Sequence, residues 1–418
     1  MLDNLKMVAN IVWNDGPKKA KELIETPVKQ ALAKDQTAIS KAAREAMKKT
    51  VRVAESANLH IDGKDAFKAM EKLISDAKHS LHFETFTFKD DDTGKRISDL
   101  LIKKRRDGVD VKLLLDTYGT ASNLDDAPHM ALYKRMRENG VDVRLHNPEV
   151  FTLAEGMPLT HRKMIIADGE RFMTGGMNIS DRYAKEWHDT MVTIEGPATR
   201  DAISAFNRNW TRTGAEAIPL PHYPAGPAPK TKVILNDPES DIFDLTKTFL
   251  DEIGNAKKSV KVMMPYLSDE PFIEALSKAR ARGVEVNVML PRLNDEKVYL
   301  DLNNHFAEDL LENGINVRWY EGKATPDLPK EHFSHTKLMV IDDHKSILGS
   351  ANADTRAFEA NHELSVLIDD ENFAKDVNKR LWTPDWEASP KANLATLKNA
   401  GIGEKLKREA WGAIAPLI

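Results

Sequence analysis

Two stretches of this chain repeat one pattern of reactive side chains. "HRKMIIADGERFMTGGMN" runs from His161 to Asn178 and "HTKLMVIDDHKSILGSAN" from His335 to Asn352. Each reads His-x-Lys, four residues, Asp, six residues, Gly-[Gly/Ser]-x-Asn. In an extended segment residues i and i+2 share a face. His161 would then project with Lys163, while Met164 and Ile166 turn into the core. His335 and Lys337 repeat this, with Met339 and Ile341 alongside. Two such segments brought together place two imidazoles and two ammonium groups around one small volume. That is a site for a phosphate diester. Lys163 and Lys337 would hold the non-bridging oxygens, and Asn178 and Asn352 would donate amide hydrogen bonds to them. One histidine would attack phosphorus and the other would protonate the leaving alcohol. An imidazole has a reference pKa near ~6.5, so its neighbours can keep one neutral and the other protonated. The lysines supply the positive charge, so the pattern calls for no cofactor, and no metal-ligand cluster stands out in the sequence. A chance match to six such positions is on the order of 10⁻⁸ per start. Two matches at equivalent places therefore signal one shared site.

Other positions in the repeat have supporting readings. Asp168 and Asp342 lie beyond the histidine-bearing face, where a salt bridge near a turn is the expected role. Gly175 and Gly349 would permit close backbone approach. Ser350 replaces Gly176, and its hydroxyl either touches the phosphate or stabilises the turn. Further on, "EWHDTMV" and "ANHELSV" align at the same offset and pair Asp189 with Glu363. A carboxylate there could accept a hydrogen bond from an imidazole Nδ1 and fix its tautomer.

The elements that would position these groups are also duplicated. "GVDVKLLLD" at Gly108–Asp116 resembles "GVEVNVMLP" at Gly283–Pro291, and "ENGVDVRL" at Glu138–Leu145 resembles "ENGINVRW" at Glu312–Trp319. The last pair is offset by 174 positions, as are the two histidines and the two asparagines. "HSLHFETFTF" and "SVKVMMPYL" read as strands, and "GKRISDLLIKKRRDG" and "EPFIEALSKARARG" as amphipathic helices stopped by glycine. Alternating strands and helices predict an α/β fold, with a largely parallel or mixed sheet in each half. The expected division is an N-terminal segment 1–56, a first half 57–217, a linker 218–230, a second half 231–390 and a tail 391–418. The linker "IPLPHYPAGPAPK" holds five prolines and a glycine, which favours an extended path.

Composition narrows the function. The 418 residues are 41% hydrophobic and 30% charged, with no cysteine and a net charge of −5. Disulfides and thiolate metal sites are excluded. The charge, and the lack of basic strands studded with aromatics, argue against a nuclease and against nucleic acid as a partner. No apolar run approaches the roughly 18 residues of a membrane span. The first 56 residues carry eleven Lys/Arg against seven Asp/Glu. At their start Leu2, Leu5, Val8, Ala9, Val12 and Trp13 fall on one helical face. That face either packs on the core or lies on an anionic bilayer. Trp411 and the apolar end "AWGAIAPLI" pose the same choice. The segment before the first motif includes Val150, Phe151, Leu153, Met157 and Leu159, which suit either a gate for acyl chains or a buried connection.

With both HxKxxxxD signatures complete (His161, Lys163, Asp168 and His335, Lys337, Asp342), the chain resembles the phospholipase D superfamily over about residues 57–390. The resemblance implies two phospholipase D-like α/β/α halves packed together, with the active site at their interface. It also implies a covalent phosphohistidine and two-step transfer, with His161 as nucleophile and His335 as general acid, then base. "FETFTFKDDDTGKRISDLLIKKRRDGVDVKLLLDTYG", "EWHDTMVTIEGPA" (Glu186–Ala198) and "GSANADTRAFEANHE" (Gly349–Glu363) resemble bacterial cardiolipin synthases. Ala353 and Ala357 depart from the commoner Met and Ser of that family. Its usual members carry two N-terminal membrane spans, so this chain would belong with shorter forms. The resemblance thus implies a cytoplasmic phosphatidyltransferase, peripheral on the inner face of the cell membrane. Its candidate substrates would be phosphatidylglycerol and, second, phosphatidylethanolamine, and any protein partner is open. The alternatives are a phospholipase D-type hydrolase and, from another class, a non-catalytic membrane-binding scaffold.

Overall fold

A computed structural model describes residues 35–51, 53–121, 127–146, 158–322, 328 and 332–399, with scattered positions from 401 to 412. The expectations for residues 1–13, for Val150, Phe151, Leu153 and Met157, and for the last six residues lie outside the described part.

The first sheet holds β1 Ser56–Ile61, β2 Ser80–Thr85, β3 Asp110–Asp116, β4 Asp142–His146, β5 Met164–Ala167, β6 Arg171–Gly175 and β7 Thr190–Glu195. Their order is β1-β7-β6-β5-β2-β3-β4. The second sheet holds β8 Thr231–Asp237, β9 Ile242–Phe243, β10 Ser259–Met263, β11 Glu285–Pro291, β12 Asn316–Tyr320, β13 Leu338–Ile341, β14 Lys345–Gly349 and β15 Glu363–Asp369. Its order is β12-β11-β10-β13-β14-β15-β8-β9. Strand by strand the second order repeats the first, with β9 added at an edge. β2, β3 and β4 run parallel, as do β10, β11 and β12, while β5, β6 and β7 and their counterparts are antiparallel. Each sheet is therefore mixed.

The helices form where the sequence predicts them. Asp92–Arg106 begins behind Asp91, whose carboxylate accepts from the Gly94 N–H, and buries Ile97, Leu101 and Ile102. Glu270–Ala281 begins behind Asp269, which accepts from the Phe272 N–H, and buries Phe272, Ile273 and Leu276. Such caps satisfy helix N–H groups that have no partner within the helix. Gly108 and Gly283 follow these helices at φ 88° and 90°, a region closed to most side chains.

Three apolar layers result. One lies between the first sheet and its helices, one between the second sheet and its helices, and one between the two sheets. Side-chain alternation decides who goes where. Met164 and Ile166 enter the layer between the sheets, and so do Leu338 and Val340. Met339 and Ile341 instead join the second half's own core, as Ile165 and Ala167 join the first half's. The counterparts of Met164 and Ile166 are thus Leu338 and Val340, not the expected Met339 and Ile341. Trp411 is partly buried and packs on the second half's core. The linker after Ile218 follows an irregular path, tied by Tyr223 Oη donating to the Gly169 carbonyl at 2.7 Å. Among the described residues no helix is long and apolar enough to cross a membrane.

The two motif aspartates hold this framework. Asp168 and Asp342 both sit at φ 54° in the turn after β5 and β13. Asp168 accepts from the backbone N–H groups of Lys78, His79 and Ser80 at 2.7 to 2.9 Å. Asp342 accepts likewise from Lys257, Lys258 and Ser259. Their partners are backbone amides, not the cationic side chains of the expected salt bridge. The reason is geometric: the turn aims each carboxylate at the N–H groups that lead into the neighbouring strand. Asp168→Ala therefore strands three amides, and should lower stability by about 3 kcal/mol. Asp168→Asn, which tolerates positive φ, should cost less. Urea unfolding of both variants checks this.

Candidate active site

The two HxK segments are extended but lie just before β5 and β13 rather than within them. Each pairs with the other half. Thr160 bridges His362, and His188 bridges Ser334. His161 N–H donates to the His362 carbonyl at 3.0 Å, and His335 N–H to the His188 carbonyl at 2.8 Å. Each histidine thus meets the carboxylate that follows its bridging partner. His161 Nδ1 lies 2.8 Å from Glu363 Oε1, and His335 Nδ1 lies 2.8 Å from Asp189 Oδ2. The sequence paired Asp189 with Glu363 as equivalents. The fold adds that each serves the imidazole of the opposite half.

With Nδ1 held, each imidazole has Nε2 for chemistry. The lysines fold back beside the histidines. Lys163 Nζ donates to the His161 carbonyl at 2.7 Å and Lys337 Nζ to that of His335 at 2.8 Å. Lys337 Nζ also lies 2.9 Å from His335 Nε2. Asn178 Nδ2 donates to Tyr183 Oη at 2.8 Å, while its Oδ1 accepts from Thr87 N–H at 3.0 Å. Asn352 donates to the Asp354 carboxyl, and its Oδ1 is buried without a hydrogen-bond partner among the described residues. The two histidines, two lysines and two carboxylates meet across the seam between the halves, and Asn178 reaches them through Tyr183, whose ring faces His335.

The electrostatics of the two histidines differ. The His161 side chain is 15% exposed and that of His335 4%, so His161 is the more open of the two to solvent. Rings of Tyr183, Trp187, Phe333 and Tyr266 surround His335. Burial depresses His161 to about 4, with Glu363 opposing and Lys163 assisting. Burial, then Lys337 and Lys163, hold His335 well below the ordinary histidine range. The carboxylates diverge too. Burial pushes Asp189 up to about 7. Glu363 is also buried, but His161 and Lys163 and the Ser350 hydroxyl hold it below its ordinary value. Lys337 is lowered to about 8 by burial.

Ser350 adds to that divergence, behind His161 and Lys163. Ser350 Oγ donates to Glu363 Oε2 and accepts from the Leu364 N–H at 3.0 Å. Its partner is the carboxylate of Glu363. Gly176 faces Asp189 instead, and a Cβ there would come within 2.3 Å of Asp189 Oδ1. Gly175 and Gly349 are as tightly placed, against the Thr190 carbonyl and the Ser365 side chain. Gly176→Ala should therefore push Asp189 off His335 and lower turnover about 10²-fold with the fold intact. Steady-state kinetics and circular dichroism together check this.

Sequence reasoning missed His188, although it precedes Asp189 in the repeated segment. It is buried between Asp62 Oδ1 at 2.6 Å and Asp385 Oδ2 at 3.0 Å and stacks on Tyr320. Burial opposes its charge, but the two carboxylates win and raise it well above the ordinary range. The signal was the repeated His-acid dipeptide, His188-Asp189 and His362-Glu363.

The family described as cardiolipin synthase, PLD-like domain, matches residues 70–210 and 249–385. "Cardiolipin synthase 1" of Staphylococcus aureus is 30% identical over 380 residues, spanning 86% of this chain and 73% of that protein. "Major cardiolipin synthase ClsA" of Bacillus subtilis is 29% identical, spanning 85% and 72%. Among solved structures, the phosphatidylserine synthase of Haemophilus influenzae superimposes with a TM-score of 0.63 at 14% identity, covering 90% of this chain and 97% of that one.

Proposed function

Since the chain belongs to the cardiolipin synthase family of phospholipase D-like proteins, we propose that it transfers a phosphatidyl group between alcohols, forming cardiolipin or a related phospholipid from phosphatidylglycerol. The observation that carries the reading is the crossed pairing of His161 with Glu363 and His335 with Asp189. It leaves both Nε2 atoms, that of His335 beside Lys337 Nζ, to act in turn on one phosphodiester.

In the first step His161 Nε2 attacks phosphorus. The N–P bond forms as the P–O bond to the headgroup glycerol breaks, and His335 gives its proton to the departing oxygen. Glu363 stabilises the positive charge that develops on the His161 ring. Lys163 and Lys337, with Asn178 and Asn352, bind the non-bridging oxygens. In the second step His335 takes the proton of an acceptor hydroxyl. That oxygen attacks phosphorus and the N–P bond breaks, which restores His161. A second phosphatidylglycerol as acceptor yields cardiolipin, and water would yield phosphatidic acid. Residues 57–217 and 231–390 are the two catalytic halves in this reading. The enzyme would meet its lipids at an anionic membrane surface, consistent with the basic first segment.

The test is product analysis by mass spectrometry, with phosphatidylglycerol vesicles, alone and mixed with phosphatidylethanolamine. Cardiolipin with release of glycerol is expected. Phosphatidic acid without cardiolipin would replace the transferase with a hydrolase, and no lipid turnover in either mixture would reject both.

A further inference from the structure

His146, at the end of β4, is 1% exposed, and neither of its ring nitrogens has a hydrogen-bond partner among the described residues. Its ring meets that of His362 edge-on, with centroids 5.0 Å apart. Glu239 completes the group: its Oε2 lies 3.0 Å from His362 Nε2 and 4.0 Å from His146 Nε2. One ligand atom from each of the three falls within 4.8 Å of the others. We propose that His146, His362 and Glu239 form a binding site for a divalent transition-metal ion of the zinc type, which ties the two halves together beside the active site.

The duplication supplies an internal control. His188 and His362 occupy equivalent positions, and so do Tyr320 and His146, each pair 174 apart. On the His188 side the partner ring is Tyr320, whose hydroxyl is 2.7 Å from His332 Nε2. There both His188 nitrogens are taken by Asp62 and Asp385. That side is a closed ionic sandwich. On the His362 side a second imidazole replaces the tyrosine, and its two ring nitrogens have no hydrogen-bond partner among the described residues. A buried unsatisfied imidazole is costly, and a bound ion would resolve it.

The donor set suits such an ion. Two imidazoles and one carboxylate are a zinc-type set with one position left for water. Asp237 Oδ1 lies 3.4 Å from His362 Nδ1, where an outer carboxylate would fix the tautomer that presents Nε2 to a metal. One feature opposes binding. Arg212 pairs with Asp237 at 2.7 Å and with Glu239 at 3.0 Å, and Arg162 lies close by. Arg212 is a quarter exposed, so it can release Glu239 toward solvent when the ion enters.

The consequence lies in β15, which His362 immediately precedes. The His362 carbonyl accepts from His161 N–H, and Glu363 is the next residue. An ion held by His146 from one half and by His362 and Glu239 from the other would fix that strand against the His161 segment.

The experiment titrates zinc chloride into the full chain, freed of metal by chelator, with calorimetry and thermal unfolding as readouts. One zinc per chain and a raised unfolding midpoint are expected. His146→Tyr installs the residue of the duplicated position. It should fold, keep the metal-free midpoint and bind no stoichiometric zinc. Asp237→Asn should weaken binding about 10- to 100-fold, and Arg212→Gln should tighten it. His335→Ala should bind as the parent does. Absence of stoichiometric uptake by the parent overturns the proposal. So does uptake that survives in His146→Tyr or disappears in His335→Ala.

Discussion

His161→Ala protein should form no cardiolipin above background from phosphatidylglycerol vesicles, a loss of about 10⁶-fold, the scale on which removal of a covalent nucleophile falls. His335→Ala loses less, about 10²- to 10⁴-fold, because it removes a proton donor and leaves the attacking atom. The two variants separate further with a phosphodiester whose leaving group is p-nitrophenol. That group departs without protonation, so His335→Ala should recover most of the first step and show a burst of nitrophenolate. Phosphate should then stay on the protein, since His335 also activates the acceptor. His161→Ala should show no burst with either substrate. Rapid-mixing absorbance and intact-protein mass spectrometry read both. A burst from His161→Ala, with phosphate on His335, would exchange the two roles. The difference in exposure favours the stated assignment, 15% for the His161 side chain against 4% for His335.

The ingredients of this site were legible because the chain writes them twice at one offset. Composition and spacing gave the two imidazoles, two lysines, two amides and two carboxylates. Periodicity and glycine stops gave the helices. Less legible was anything that depends on which copy touches which. Asp189 and Glu363 stand at the same offset from their own histidines, so sequence cannot say whether a carboxylate serves its own half or the other. The answer lies in two short backbone bridges, Thr160 to His362 and His188 to Ser334. They form only when the sheets pack. The same limit hid the cluster of His146, Glu239 and His362, whose members lie far apart in the chain. Asp168 and Asp342 failed for another reason. A carboxylate and its cationic neighbours suggest an ion pair, but a turn at φ 54° aims the side chain at backbone N–H groups.

The crossed pairing makes the second large prediction, because each carboxylate should control the imidazole of the opposite half. Glu363→Gln removes the charge that would balance the phosphoimidazolium proposed on His161. It also sets an amide where Ser350 donates a hydrogen bond. A loss of about 10³- to 10⁴-fold is expected. Asp189→Asn should cost about as much, through His335. The pH dependence of kcat/KM tells them apart, since it reports the free enzyme. His161 must be neutral to attack, and burial places it at about 4, so activity falls below that pH. The Asp189–His335 pair must hold a proton for the leaving oxygen. Burial raises Asp189 to about 7, so the pair loses that proton and activity falls above it. Glu363 raises His161 against burial; without it the acid limb should move below 4. Asp189 is what keeps a proton at the other histidine, which burial and two lysines otherwise strip of charge. Without it the alkaline limb should move to lower pH. If Glu363→Gln shifts the alkaline limb instead, or Asp189→Asn the acid one, each carboxylate serves its own half's chemistry and the crossed geometry has no catalytic meaning.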